Sequence, residues 1–305
     1  MAGFDQIVVA IGSPGADCPV IAYAALLARL GAAKDVRFVH VADTQAPAAD
    51  VRREMRDRIA VPFREIAART ECDVLQGSLT DRLLAYVTEF QADLAVIGGK
   101  RRKLGSRLAM VAPCAVAVVP NHHPARLSHV MVAVDFSSAA LETLQWVTQL
   151  AAGAPGTRCT ALHVATPEST DLFGAEEDEA QQAEAMRRLL AEADCHGVDV
   201  EPRRTPVERS TDIGLGHHFS IAAAIEGSDV AHTIIAEAER SGADCIALGT
   251  RGRSRSASIL LGSVTEKVIE RSNVPVLIGK HGGAHLSLGE ILLGRAGWQP
   301  GIKTN

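Results

Sequence analysis

Ile7-Val-Val-Ala-Ile11 is a short apolar run set between polar neighbours, and it returns as Val130-Met-Val-Ala-Val134, 123 residues further along the chain. Phe38-Val-His-Val-Ala42 returns as Ala161-Leu-His-Val-Ala165 at the same offset of 123. Two separate matches at one offset mean that a unit of the chain has been duplicated. Continuous aliphatic runs of this length suit strands covered on both faces of a parallel sheet, and the amphipathic stretches between them suit crossover helices. The expected fold class is therefore α/β: two tandem, doubly wound, five-stranded parallel-sheet domains.

Working outward, Gln76-Gly77-Ser78 pairs with Glu226-Gly227-Ser228 at offset 150, and Ala92-Asp-Leu-Ala-Val-Ile-Gly98 pairs with Ala243-Asp-Cys-Ile-Ala-Leu-Gly249 at offset 151. On this alignment the second copy carries about 27 extra residues, part acidic helix opening with Glu176-Glu-Asp-Glu179 and part loop. Strands are expected near 7–11, 36–41, 72–76, 93–97 and 114–119 in copy one. In copy two they are expected near 130–134, 158–164, 220–225, 244–248 and 275–278, with helices near 138–152, 176–196, 229–241 and 263–272. The domains run over 1–121 and 128–281, joined by a linker at 122–127 and followed by an extension at 282–305.

The 305 residues are enough for two cores of ordinary size, and with 47% hydrophobic and 22% charged residues the chain has a globular composition. A net charge of −5 gives no global basic field, so neither nucleic acid nor an anionic membrane is an expected partner. The six cysteines are dispersed with no CxxC pair, which argues against a zinc site or a disulfide framework and for a reducing cytoplasm. No run approaches the roughly 18 apolar residues of a membrane helix.

The chemistry concentrates in Gly249-Thr-Arg-Gly252-Arg-Ser-Arg-Ser-Ala-Ser-Ile-Leu-Leu-Gly262-Ser263-Val264. Its spacing is Gly, two residues, Gly, nine residues, Gly-Ser. Glycines let backbone amides approach a ligand closely, and a strand-to-helix turn aims unpaired N–H groups at an anion. Ser263 can cap the helix or offer its hydroxyl to a phosphate. Arg251, Arg253 and Arg255 can neutralise phosphate charge or stand as solvated loop residues. Asp135, at the end of a strand expected to neighbour the one before the loop, can accept hydrogen bonds from an adenine amine or ribose hydroxyl, or cap the next helix.

Asp135-Phe136-Ser137, Leu162-His163-Val164, the glycine loop, its continuation Ile259-Leu-Leu-Gly-Ser-Val-Thr-Glu-Lys-Val-Ile269 and Asn273-Val-Pro-Val-Leu-Ile278 together resemble the universal stress proteins. The resemblance spans both copies and implies Rossmann-like domains. For the ATP-binding branch it implies a site formed by Val134, Asp135, Val164, Gly249, Arg251, Gly252, Gly262, Ser263 and Val264, holding ATP with Mg²⁺. It also implies an intramolecular pseudo-dimer with edge strands Pro113–Val119 and Pro275–Ile278 at the interface, an unidentified protein partner, and a homo-oligomer as an open possibility.

Copy one departs from this pattern. Gly12 stands where copy two has Asp135, and Gly98-Gly-Lys-Arg-Arg-Lys-Leu-Gly105-Ser106 keeps a Gly-Ser pair without the nine-residue spacer. Its basic cluster can catch an anion or simply be solvated. The paired histidines His40 and His163 read as satisfied strand-end residues, and His217-His218 lacks the geometry of a metal site. With no nucleophile, base or Walker lysine in evidence, the expectation is an ATP-binding regulatory protein with one nucleotide per chain. A slow nucleotide hydrolase or adenylyl-transferring enzyme, and a ligand-free scaffold, are the competing readings.

Overall fold

A computed structural model describes residues 4–12, 18–42, 48–99, 102–166, 175–208, 221–250 and 261–280. Copy one runs β1 (Gln6–Ile11), α1 (Cys18–Leu30), β2 (Asp35–Ala42), α2 (Ala48–Ala60), β3 (Arg69–Gln76), α3 (Leu79–Glu89), β4 (Leu94–Gly98), α4 (Arg102–Val111) and β5 (Ala115–Val119). Copy two runs β6 (His129–Ala133), α5 (Ser138–Ala152), β7 (Arg158–Ala165), α6 (Ala175–Glu192), β8 (Val200–Pro206), α7 (Ile221–Ser241), β9 (Cys245–Gly249), α8 (Ser263–Arg271) and β10 (Val276–Gly279). The ten strands of the described residues form one sheet in the order β3-β2-β1-β4-β5-β10-β9-β6-β7-β8. Pairing is parallel within each copy, and the copies meet where β5 runs antiparallel to β10, Val118 facing Val276 and Val116 facing Ile278.

The aliphatic runs that announce the repeat are the central strands, with Ile7, Val8, Val9, Val130, Met131 and Val132 fully buried. Alternate residues face opposite sides, so each strand feeds two apolar layers. One layer gathers Ile7, Val9, Val130 and Val132 under α1, α2, α5 and α6; the other gathers Val8, Ala10 and Met131 under α3, α4, α7 and α8. Both layers run through the junction. Phe4 of copy one meets Trp146 of copy two edge to face at 5.4 Å, and fully buried Tyr23 of α1 reaches Cys245 of β9.

Matched polar pins recur beside the apolar repeat. Asp93, just before β4, accepts the Gln6 amide at 2.9 Å; Asp244, before β9, accepts the Ser128 and His129 amides at 3.0–3.2 Å and pairs with Arg126 at 3.2 Å. Each carboxylate thus ties the start of its own strand to the start of the copy's first strand. Across the junction, Lys280 donates to the Met110 carbonyl at the end of α4, and Arg102 donates to the Glu270 carbonyl in the last turn of α8. Cations suit helix C-termini, whose carbonyls are unpaired.

Copy two departs from the sequence expectation in one element. Residues 221–225 open helix α7, and the outer strand is Val200–Pro206. A short apolar run such as Ile221-Ala-Ala-Ala-Ile225 fits either a buried strand or a helix by pattern, and its alanines favour the helix. The real strand is disguised by Glu201, Pro202, Arg203, Arg204 and Pro206, residues that only a sheet edge tolerates well. Gln76 at the end of β3 therefore corresponds to Pro206 at the end of β8, and Glu226-Gly227-Ser228 is helical rather than the mate of Gln76-Gly77-Ser78. Most of the extra chain of copy two lies beyond β8, shared between the connection to α7 and the greater length of α7 itself, and His217-His218 falls outside the described residues.

Candidate functional site

In copy two the chain steps outward from β6 to β7 and β8, then returns to the other side of β6 for β9 and β10. The order therefore reverses between β6 and β9, and in open α/β sheets the crevice beyond the carboxyl ends at that point is where ligands bind. Val134-Asp135 leaves β6 there, Val164 lies near the end of β7, and Gly249 ends β9.

Asp135 begins a tight turn. Its Oδ1 accepts from the Ser137 amide at 3.1 Å and the Ser137 hydroxyl at 2.6 Å, while the Ser137 oxygen accepts from the Ala140 amide as the N-cap of α5. Between them Phe136 adopts φ +61°, costly for a bulky residue and sustained by its surroundings. Its ring lies 4.3 Å from that of His163, whose Nδ1 donates to the Val134 carbonyl at 3.0 Å. His40 makes the same bond to Ile11 in copy one. The paired histidines thus tie neighbouring strand ends together, as a satisfied strand-end residue would.

The side chains of Val134 and Val164 are buried, one in each apolar layer, so they shape the wall from behind. At the other wall, the Gly262 amide donates to the Thr250 carbonyl at 3.0 Å and the Thr265 hydroxyl donates to the Gly249 carbonyl at 2.9 Å. The two ends of the loop are thus clasped together at the switch point. Arg251, Gly252, Arg253 and Arg255 fall outside the described residues.

Gly262 is itself the N-cap of α8, with φ −60° and ψ 138°, and Ser263 is the first helical residue. Ser263 therefore does not cap the helix; it stands exposed, while Val264 packs partly against the second apolar layer. Thr250 and Thr265, which close the loop, were not singled out in the sequence. A threonine two residues after the Gly-Ser pair is the only signal, and its meaning emerges once Gly249 is placed beside it.

Copy one has nothing comparable. Three residues separate β4 from α4, against thirteen between β9 and α8. Gly105 is not a loop glycine but a buried residue of α4, and a Cβ there would lie 2.7 Å from Cγ2 of Val118.

A duplicated, doubly wound parallel sheet of this kind defines a tandem α/β protein. The chain belongs to the universal stress protein family, whose model matches residues 3–120 and again 127–280. A universal stress protein of known structure from Archaeoglobus fulgidus aligns over 91% of this chain and 99% of its own at 16% identity, with a TM-score of 0.59. A protein described as functionally unknown from Pseudomonas aeruginosa aligns over 91% and 92% at 17% identity, with a TM-score of 0.63. At such identities the likeness is one of fold. A universal stress protein of Methanocaldococcus jannaschii is 51% identical over 47 residues, 15% of this chain and 29% of that protein, so the matched stretch spans under a third of the curated relative. Among the described residues no helix is long and apolar enough to cross a membrane.

Proposed function

We propose that copy two binds a single nucleotide, ATP with Mg²⁺, at the β6–β9 switch point, and that the protein is a regulator rather than a turnover enzyme. The observation that carries this reading is the clasp of Gly249 and Thr250 to Thr265 and Gly262 at the switch point where Asp135 leaves β6, with thirteen residues between strand and helix where copy one has three. Asp135, whose Oδ1 is oriented by Ser137, would accept from the adenosine moiety. The Gly262 end of the loop, Ser263 and the start of α8 would meet the phosphates, with Gly249, Arg251, Gly252 and Val264 around them and Val134 and Val164 behind. Copy one would serve as the inert half of an intramolecular pseudo-dimer. A cytoplasmic location and a protein partner responsive to nucleotide occupancy complete the proposal.

Calorimetric titration with ATP and Mg²⁺ tests it, with one site per chain as the expected result. Gly262 has a φ open to any residue, so Gly262→Val leaves the backbone unstrained and adds bulk at the helix start that the phosphates would approach. Affinity should fall at least about tenfold with the fold intact, and Asp135→Ala should weaken binding similarly through loss of the acceptor. Unchanged affinity in both variants would overturn the assignment. Turnover should be far below the roughly 1–1000 per second of ordinary enzymes.

A further inference from the structure

We propose that the cleft at the junction of the two copies is a second ligand site, one that takes the phosphoryl group of a small metabolite. The cleft encloses about 330 Å³, at the small end of the range for metabolite pockets (roughly 300–1000 Å³). Three segments build it: the β4–α4 turn with Gly99 and Arg102, the linker with Pro120, Asn121 and His122, and Asn273 between α8 and β10. It is therefore formed only when both copies are paired. A Cβ on Gly99 would lie 2.9 Å from Cα of Pro120 and 3.1 Å from the Val119 carbonyl oxygen, so turn and linker touch backbone to backbone at the cleft's floor.

The lining is about half polar, and none of its residues is acidic. Arg102 donates through Nη1 to the Glu270 carbonyl and has no carboxylate within ion-pair distance among the described residues. By contrast Arg37, Arg203 and Arg240 are each committed to carboxylates. A guanidinium oriented by a backbone carbonyl keeps further N–H groups for an oxyanion, and its charge has no internal counterion. Asn121 and His122 make no hydrogen bond among the described residues, so an amide and an imidazole are also available. The adjacent carboxylates are occupied: Asp244 by two amides and Arg126, and Glu239 faces Asn273 at 3.5 Å. His123 is spent on the Pro124 carbonyl at 2.8 Å and acts as wall. Cationic, amide and imidazole donors converging on a concave site without acid match a tetrahedral phosphoryl oxyanion.

The test is titration of the full chain with inorganic phosphate and with pyrophosphate, adenosine serving as a probe without phosphate. Three variants are compared: Arg102→Gln, the linker pair Asn121→Ala with His122→Ala, and Gly262→Val. The linker pair leaves the Arg102–Glu270 bond in place, so its effect cannot be ascribed to a loosened junction. Saturable one-to-one binding of pyrophosphate is expected, weakened about ten- to hundredfold by Arg102→Gln, weakened measurably by the linker pair, and untouched by Gly262→Val. The absence of saturable binding, equal binding of adenosine, indifference to the linker pair, or losses confined to Gly262→Val would each overturn the proposal. The last outcome would assign the probe to the loop of copy two and leave the nucleotide reading standing.

Discussion

The Gly-Ser pairs at 105–106 and at 262–263, each set between the fourth and fifth strands of its copy, do opposite things. Gly262 caps a helix at an open crevice; Gly105 sits inside α4 because Val118 and Ile269 press against it. Helix propensity alone makes Gly→Ala favourable by about 1 kcal/mol, but a methyl 2.7 Å from Val118 is overpacked. Gly105→Ala should therefore lower the urea midpoint, by about 1–3 kcal/mol in stability, and Val118→Ala in the same chain should recover part of the loss. Additive losses would mean that the two side chains do not conflict. Tyr23 offers the reverse case. Its hydroxyl is buried at the junction with only the weakly hydrogen-bonding Cys245 thiol beside it, which itself points to the Ile246 carbonyl, and burial holds the hydroxyl's pKa well above the usual range. Tyr23→Phe should match the parent or exceed it by about 1 kcal/mol in chemical denaturation; a clear loss would reveal an acceptor for that hydroxyl. Neither role was legible in the sequence, because a glycine's or tyrosine's meaning depends on which neighbour the fold presses against it.

Among the elements, the central strands could be read because burial on both faces leaves them uniformly aliphatic, whereas β8 escaped notice for the opposite reason. At the sheet edge it carries Arg203, which bridges Glu201 on its own strand and buried Glu237 on α7, while Arg240 joins Glu237 to Glu208. The pattern read as loop because its apolar content is low and its stabilising contacts are charged and distant in sequence. The start of β6 carries a different liability. Buried His129 accepts at Nδ1 from Arg158 and donates through Nε2 to the Thr160 hydroxyl, a pattern open only to the neutral ring. Desolvation, then the neighbouring Arg158 charge, lowers its pKa from the ordinary 6.5. The unfolded chain thus binds this proton more readily than the folded one, and the stabilisation from a neutral His129 is complete above about 6.5 and lost as pH falls through the folded value. Thermal midpoints should drop between pH 7 and pH 5, and His129→Gln should flatten that slope. His123, lowered for the same reason, adds to it. An equal slope in the variant would place the acid sensitivity elsewhere.

At the scale of the molecule the duplication and its family were visible from two offsets and one loop, and the sequence also suggested which edge strands would meet. It could not show that both apolar layers continue through β5 and β10, since that depends on how two complete sheets align. Chains 1–124 and 125–305 made separately should each expose an unpaired β-edge and the end of two cores. Sedimentation should show them self-associating alone and forming a one-to-one pair when mixed; two stable, indifferent monomers would contradict the shared core. The short connection from Val119 to His129 has one further effect. Tethering makes the meeting of β5 and β10 an intramolecular event, with an effective local concentration of about millimolar that dilution in the cell does not change. Separate chains of the two kinds would be free to assort with their own kind, producing assemblies with two loops, one or none. The covalent link fixes that ratio, so every molecule carries one loop-bearing crevice beside one half without it, whatever the level of expression.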